Sequence, residues 1–332
     1  ARVPVAVPGA RGSSPLLKKV AGAVAATAAL GSATAAYGHF IELNNFQLRT
    51  ESLPVLSAGS PDFRILHISD IHMIPGQQKK IDFMHSLAVL EPDLVMNTGD
   101  NLSHVDGMGP LLEALDPLMD FPGVFVPGSN CYFAPIFKNP ARYLWQPRTP
   151  QMIEKGSRIA LPIERMHDAF ESRGWTGLIN RYDTLNLNGL RLEFSGVDDP
   201  HLRYDEHPGF APGAFDESDE PSVRIGVAHA PYMRTLHRFV QDGAQVIFAG
   251  HTHGGQVCLP GGHALVSNCD LPPSRAKGVS EQSGIPVQVS AGLGTSRFAP
   301  MRLFCPPEAI LVTLTAGDKG HGASVTSAGG RL

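Results

Sequence analysis

Five short apolar runs in this chain each lead directly into a polar side chain that can bind a metal ion. Four runs, FRILHIS, DLVMNT, GVFVPG and QVIFAG, read as buried strands, and the fifth, SVRIGVAH, is rich in Val and Ile. The polar residues at their ends are Asp70, His72, Asp100, Asn130, His229, His251 and His253. A fold built from this chain must therefore bring several strand ends together, and the resulting ligand set suits two neighbouring divalent cations of the Zn, Mn or Fe type.

Strand and helix patterns alternate along the first half of the chain. Apolar runs at 63–69, 93–97 and 123–126 predict strands, and helical spacing at 79–90 and 110–119 predicts the helices between them. Strand–helix–strand order at this spacing indicates parallel βαβ units and an α/β fold. Further predicted elements are a helix at 166–173, a hairpin at 181–187 and 190–197 turning at Asn188-Gly189, strands at 223–228, 244–249, 287–290 and 309–314, and a helix near 232–241.

The ends of the chain differ in composition from its middle. We expect a disordered N-terminus at 1–17, an Ala-rich apolar helix at 18–37, a connector at 38–62, one domain at 63–315 and a flexible tail at 316–332. The apolar helix is open to three readings: a membrane anchor, a cleaved signal, or a soluble helix packed on the domain. For an anchor, Lys18 and Lys19 favour an extracytoplasmic domain, so we expect the protein to be membrane-associated on that side.

Charge and cysteine usage narrow the functional classes. The formal net charge is −4, which gives no electrostatic basis for a nucleic-acid partner. None of Cys131, Cys258, Cys269 and Cys305 forms a CxxC pair, so a zinc ribbon or a thioredoxin-type site is not expected. Cys258 and Cys269 are close enough in sequence for a disulfide, and burial as separate thiols is the alternative.

The ligand spacing suggests how two cations would be shared. A carboxylate bridges two metals better than an imidazole does, and Asp100 is the central carboxylate of the set. Asp70 and His72 are two residues apart in an extended segment, so both side chains face the same side. His251 and His253 have the same spacing, and the glycines that follow allow them to turn toward different metals.

With these motifs, the chain resembles the calcineurin-like metallophosphoesterase family. The matching residues are Asp70-x-His72, Gly99-Asp100-Asn101, Gly128-Ser129-Asn130, His229 and Gly250-His251-Thr252-His253, and the resemblance covers about 63–315. It is similar to bacterial membrane-associated members such as the lipid-headgroup phosphodiesterases. The resemblance implies a four-layer α/β/β/α sandwich. It also implies one metal on Asp70, His72, Asp100 and His253, and a second on Asp100, Asn130, His229 and His251.

The implied activity is hydrolysis of a phosphate ester, with a diester and a lipid-linked ester as candidate substrates, by a water that the two metals activate. Asp100 and Asn130 would act in catalysis in addition to binding the metals. The family usually places a His after the Asn, to assist the leaving group, whereas this chain has Cys131. Cys131 could donate a proton or only fill space, and His104 and His201 are other candidates for the missing imidazole.

Two further expectations follow from the same residues. The loop at 131–162 has no clear period, and we expect it to select the substrate through Tyr132, Phe133, Tyr143 and Trp145, with Arg142 and Arg148 for anionic oxygens.

The alternative function is a binding module that keeps the fold with impaired catalysis, which the Cys131 replacement favours and the intact ligands oppose. A metallo-hydrolase acting on amides or lactones would commonly carry an HxHxDH cluster, which this sequence lacks.

Overall fold

Two β-sheets form the centre of the protein. The computed structural model describes residues 15–136, 158–212, 221–317 and 326–330. The first sheet contains β1 (Gln47–Leu56), β2 (Phe63–Ile68), β3 (Leu94–Asn97), β4 (Gly123–Phe125), β5 (Trp175–Gly177), β14 (Glu308–Ala316) and β15 (Thr326–Gly330). The second contains β6 (Arg181–Leu187), β7 (Leu190–Gly196), β8 (Ser222–Val227), β9 (Val246–Ala249), β12 (Gly278–Gln282) and β13 (Ile285–Val289). Their spatial orders are β15-β1-β14-β2-β3-β4-β5 and β12-β13-β9-β8-β7-β6.

The helices are α1 (Pro15–Ala36), α2 (Gln78–Ser86), α3 (Met108–Leu115), the single turn α4 (Ser129–Tyr132), α5 (Ile163–Ser172) and α6 (Met233–Gln241). Four of them, α2, α3, α5 and α6, cover the outer faces of the sheets. Apolar side chains of α2, α3 and α5 pack on the first sheet, and those of α6 pack on the second. Between the sheets, Phe63 and Val124 belong to one buried cluster with Phe194 and Phe248. This is the four-layer α/β/β/α sandwich that the sequence predicted.

Strand direction decides where the predicted ligands lie. β2, β3, β4 and β5 run parallel to one another, and so do β7, β8, β9 and β13. Asp70, Asp100 and Asn130 come shortly after β2, β3 and β4, while His229 follows β8 and His251 follows β9. Because parallel strands end at a common edge, each sheet delivers its polar residues to one edge.

The N-terminal helix is exposed along almost its whole length and continues beyond its predicted end. One helical stretch in the described residues, Lys18–Asn44, is long and apolar enough to cross a membrane, and its most apolar part has no buried residue. The start of the predicted connector is helical, with a π turn at Tyr37–Ile41 and a 3-10 turn at Glu42–Asn44, before β1 begins at Gln47. Residues 37–44 are helical because hydrogen bonds hold them to the loop around Arg302.

Several pairings were not foreseen from the sequence. Residues 326–330 lie in the predicted tail and pair with β1 as an antiparallel strand. Within the predicted substrate loop, residues 137–157 lie outside the described part, and with them Arg142, Tyr143, Trp145 and Arg148. The ends of that loop meet, because Phe133 bridges Ala160 and the Leu161 N–H donates to the Tyr132 carbonyl at 2.8 Å.

Candidate metal centre

Five of the seven predicted ligands form two adjoining groups at the strand ends. The ligand atoms of Asp70, His72 and His253 lie within 4.8 Å of one another, as do those of Asp70, Asp100 and His229. Asp100 Oδ2 is 3.6 Å from His72 Nε2 and 3.4 Å from His229 Nε2, so it contacts one imidazole of each group. This central position is the geometry that a bridging carboxylate requires.

The remaining two residues adjoin the same groups. His251 Nδ1 lies 3.2 Å from His229 Nε2, which places the two imidazoles on one side of the site. Asn130 donates twice to Asp100, from its backbone N–H to Oδ1 and from its amide to Oδ2, each at 2.7 Å. The structure therefore brings all seven residues around one shared space.

Hydrogen bonds to the far side of each imidazole set which nitrogen faces that space. His229 Nδ1–H donates to the Thr98 carbonyl at 2.7 Å, and His253 Nδ1–H donates to the Gly294 carbonyl at 3.1 Å. His72 Nδ1 is 2.8 Å from Ser103 Oγ. Each bond leaves Nε2 directed at the carboxylates, which is how metal-binding histidines are usually fixed by outer partners.

Unsatisfied buried atoms test whether these residues fit a cation. Asp70 Oδ1 and His72 Nε2 are buried and have no hydrogen-bond partner within the described residues. A buried carboxylate oxygen without a partner is costly, and a cation between it and the imidazole lone pair would satisfy both. The residues present therefore fit divalent metal ions of the kind that the sequence predicted.

The titration behaviour of the site points the same way. Burial would raise the pKa of Asp70 and of Asp100, but the surrounding histidines hold both pKa values well below the usual range. Burial would lower the pKa of His229, yet the Asp100 carboxylate raises it to about 10. Burial lowers the pKa of His251 and of His253 to about 4, so these rings stay neutral. Ionised carboxylates beside the neutral His251 and His253 are the protonation states that metal ligation needs, whereas His229 carries a second proton that a bound cation would displace.

The backbone at this site is held in an uncommon conformation. Asp70, His72, Asp100, His251 and His253 all have a positive φ, between 46° and 70°. Side-chain-bearing residues rarely adopt this region, and such residues cluster at functional sites. Glycines make room for it: a Cβ on Gly292 would lie 2.5 Å from Asp70 Cβ, and one on Gly250 would overlap Ser69 Oγ.

Cys131 occupies a different environment from its neighbour Asn130. Its side chain is fully buried in the apolar cluster under the first sheet. The Asn101 amide donates to its sulfur at 3.7 Å. Burial, with a further contribution from Asp100, raises the pKa of the thiol to about 12. These facts favour the packing role over proton donation.

The two alternative histidines are placed differently. The His201 ring centroid is 4.8 Å from that of His251, and His201 Nδ1 lies 3.0 Å from the Tyr232 hydroxyl. His104 instead accepts from the Asp106 backbone N–H at 3.1 Å, as the cap of a 3-10 turn. Of the two, His201 is the one that contacts a predicted ligand.

Sequence reasoning missed the residues that support the ligands. Ser69 Oγ–H donates to Asp70 Oδ2 at 2.6 Å, and the His251 N–H donates to the same oxygen at 2.9 Å. His251 Nε2–H donates to the Asn268 carbonyl at 3.3 Å. Asn268 and Gly294 are distant from the ligands in sequence, so no local pattern could identify them.

The chain is similar to a known protein family and to several individual proteins. The family model described as calcineurin-like phosphoesterase matches residues 63–255, more than half of the chain. A Bacillus subtilis (strain 168) protein named uncharacterized protein YpbG is 28% identical over 272 residues, covering 80% of this chain and 87% of that protein. An uncharacterized metallophosphoesterase of Aquifex aeolicus (strain VF5) is 24% identical over 302 residues, covering 86% and 97%. The crystal structure of TT1561 of Thermus thermophilus has a TM-score of 0.38 at 11% identity, covering 70% of this chain and 91% of that one.

Proposed function

Since this chain belongs to the calcineurin-like phosphoesterase family, we propose that it is a metal-dependent hydrolase of a phosphate ester, with a phosphodiester as the first candidate. The observation that carries the proposal is the convergence of two carboxylates and four imidazoles around buried, unsatisfied ligand atoms. Such a set has no structural purpose without cations, because each uncompensated buried carboxylate costs stability.

Asp70, His72, Asp100 and His253 would hold one cation, and Asp100, Asn130, His229 and His251 the other, with Mn, Fe and Zn as candidates. A pair of divalent cations there supplies a nucleophilic water at neutral pH and neutralises charge on the phosphoryl group. Asp100 fixes the position of Asn130 through two hydrogen bonds of 2.7 Å. Asn130 in turn would orient the phosphoryl oxygens.

Leaving-group protonation falls to His201 in this proposal. Its ring stands beside His251, whereas Cys131 is sealed in the core with a raised pKa and His104 serves as a cap. The Tyr232 hydroxyl at 3.0 Å from Nδ1 orients the His201 ring. An imidazole at this position would carry out the task that the family assigns to the residue after Asn130.

Membrane attachment is the second part of the proposal. The exposed apolar helix α1 would anchor the protein, with the domain at 63–315 attached through the connector. Lys18 and Lys19 near its N-terminus support an extracytoplasmic location of the domain. An anchored hydrolase acts most readily on esters at the membrane surface, so lipid-linked phosphates belong in any substrate screen.

The test is hydrolysis of bis-p-nitrophenyl phosphate and of phospholipid esters by the detergent-solubilised full chain, after metal removal and reloading with Mn, Fe or Zn. Asp100→Ala should abolish turnover and lower the bound metal content, because it removes the shared ligand. The matched control is Asp106→Ala, since that carboxylate is 77% exposed. Full metal content without turnover on any ester would support the binding module and contradict the hydrolase.

A further inference from the structure

Large apolar side chains are exposed on the part of the domain from which α1 emerges. Two belong to the turn that follows α1, two to the hairpin of β10 (Cys258–Leu259) and β11 (His263–Ala264) and its exit, and two to the loop at 296–305. Their exposed fractions are 70% for Phe40, 58% for Ile41, 51% for Leu259, 52% for Leu265, 41% for Phe298 and 43% for Phe304. We call these six residues the apolar face.

Hydrogen bonds join the base of the helix to the domain at this face. The Gly38 carbonyl accepts from the Arg302 N–H at 3.2 Å, and His39 Nδ1–H donates to the Pro300 carbonyl at 2.6 Å. The Cys305 N–H donates to Glu42 Oε1 at 2.6 Å, and Glu42 is almost fully buried. A Cβ on Gly38 would lie 2.6 Å from the Arg302 carbonyl oxygen, so the close approach depends on glycine.

The hairpin is bonded to the same loop. The Cys258 N–H donates to the Leu303 carbonyl at 2.9 Å, and the Leu303 N–H donates to the Gln256 carbonyl at 3.0 Å. At the hairpin tip, a Cβ on Gly262 would be 3.4 Å from the Phe304 carbonyl oxygen. Leu259, Phe298 and Phe304 therefore lie on one bonded unit with the base of α1.

The length of α1 places this unit at the surface of a bilayer. The helix has 22 residues, which at 1.5 Å per residue span about 33 Å, slightly more than the roughly 30 Å hydrocarbon core. Phe40 and Ile41 come only four and five residues after the last residue of α1, so they fall at the interface. Arg297, whose guanidinium lies 5.0 Å from the Phe298 ring centre, adds positive charge suited to anionic lipid headgroups.

The residues just before this loop shape the metal centre. Gly294, four residues before Phe298, orients His253 through its carbonyl, and a Cβ on it would lie 2.8 Å from His72 Cβ. A segment that supports two predicted ligands therefore continues directly into the loop that carries the exposed aromatic rings.

We propose that the apolar face is a lipid-docking surface that inserts into the bilayer beside α1, so that the metal centre receives phosphate esters of membrane amphiphiles. The docking follows from the geometry above, while the substrate class rests on the proposed function. We assign lipid as the partner of this face because the face continues an exposed apolar helix whose base is hydrogen-bonded to it.

The docking is tested by quenching with brominated lipid. The full chain is placed in phosphatidylcholine–phosphatidylglycerol vesicles with Phe298→Trp, Phe304→Trp or the control Val89→Trp, and each spectrum is corrected for the parent protein. Val89 is 75% exposed and leads into β3, at the strand edge opposite the metal centre. A ring buried about 5–10 Å into the interface should lose about half of its emission to the bromines, and the control should lose none.

The substrate class is tested separately with Phe298→Ser/Phe304→Ser. The ratio of its rate on phosphatidylglycerol in vesicles, a diester, to its rate on the soluble diester bis-p-nitrophenyl phosphate should fall about 10-fold or more, because two apolar contacts with lipid are lost. Absent quenching at both positions overturns the docking surface. If the protein then dimerises in detergent, a second copy covers the face.

The failures of the two proposals are distinguishable. Quenching with an unchanged rate ratio overturns the membrane-amphiphile substrate, because the apolar face then gives the lipid ester no advantage over the soluble ester. Quenching without turnover on any ester contradicts the hydrolase itself, since fluorescence does not depend on catalysis.

Discussion

Replacing Arg302 by Met tests how the loop beneath the metal centre is held. Arg302 is fully buried, and its guanidinium donates to the carbonyls of Ala291, Gly292 and Gly294 at 2.7, 3.0 and 2.7 Å. Gly292 packs against Asp70, and Gly294 packs against His72 and accepts from His253. One side chain therefore fixes the backbone on which three predicted ligands rest.

The expected loss of stability follows from those contacts. A hydrogen bond from a charged group contributes about 1.5–3 kcal/mol, and the three bonds from one nitrogen are not additive. Met fills similar space but removes all three bonds. The Gly292 and Gly294 carbonyls keep the Glu308 N–H and His253 Nδ1–H as donors, whereas the Ala291 carbonyl loses the guanidinium that it accepts from. We therefore expect Arg302→Met to lower the free energy of unfolding by about 3–5 kcal/mol. The displaced support for His253 should also weaken metal binding about 10–100-fold.

Urea unfolding of the detergent-solubilised full chain in EDTA, followed by fluorescence of the buried Trp175, measures the first effect. Metal titration of the refolded variant measures the second. Arg238→Met is the matched control, because Arg238 is 53% exposed and its ion pair with Asp242 is worth at most about 1 kcal/mol. Arg302→Lys should fall between the two. An Arg302→Met protein as stable as the Arg238→Met protein would refute the reasoning.

Other perturbations test separate parts of the site. Ser103→Ala removes the partner of His72 and should raise the metal dissociation constant about 10-fold in a competition titration, whereas Ser86→Ala, at an exposed position of α2, should not. His201→Gln should slow hydrolysis of esters with poor leaving groups more than of p-nitrophenyl esters, and an equal effect on both would exclude proton donation. Burial and Arg302 lower the pKa of Lys80 from 10.5 to about 7, so the cost of burying its charge is complete below pH 7 and falls to zero as the pH rises from 7 to 10.5. The stability of the parent relative to Lys80→Met should therefore rise between these values, by up to about 1.4 kcal/mol per pH unit in urea titrations, and a flat difference would contradict the buried charge.

Local patterns carried much of the architecture. The runs before Asp100 and His251 are apolar almost throughout, and the run before Asp70 is interrupted by Arg64 and His67, because these strands are buried on both faces. Such runs can be recognised without tertiary information. The order of strands and helices then predicted parallel units, and parallel units imply a common edge. For the same reason the candidate ligands could be proposed from the sequence.

Long-range contacts account for what the sequence did not reveal. The turn at 37–44 is helical because Gly38 and Glu42 bond to Arg302 and Cys305, more than 260 residues away. The local sequence does not distinguish Arg302 from the other arginines, because the carbonyls that it bonds surround it only in the folded chain. The positive φ values of the ligands arise from the crossing of loops at the sheet edge, and no spacing rule encodes them.

Electron paramagnetic resonance of the full chain loaded with Mn²⁺ distinguishes a metal pair bridged by Asp100 from isolated ions. Carboxylate-bridged ions about 3.5–4 Å apart give an exchange-coupled spectrum. We predict that spectrum for the parent protein and its loss in Asp100→Ala. A parent protein that binds only isolated, uncoupled Mn²⁺ would contradict a shared metal pair at these strand ends.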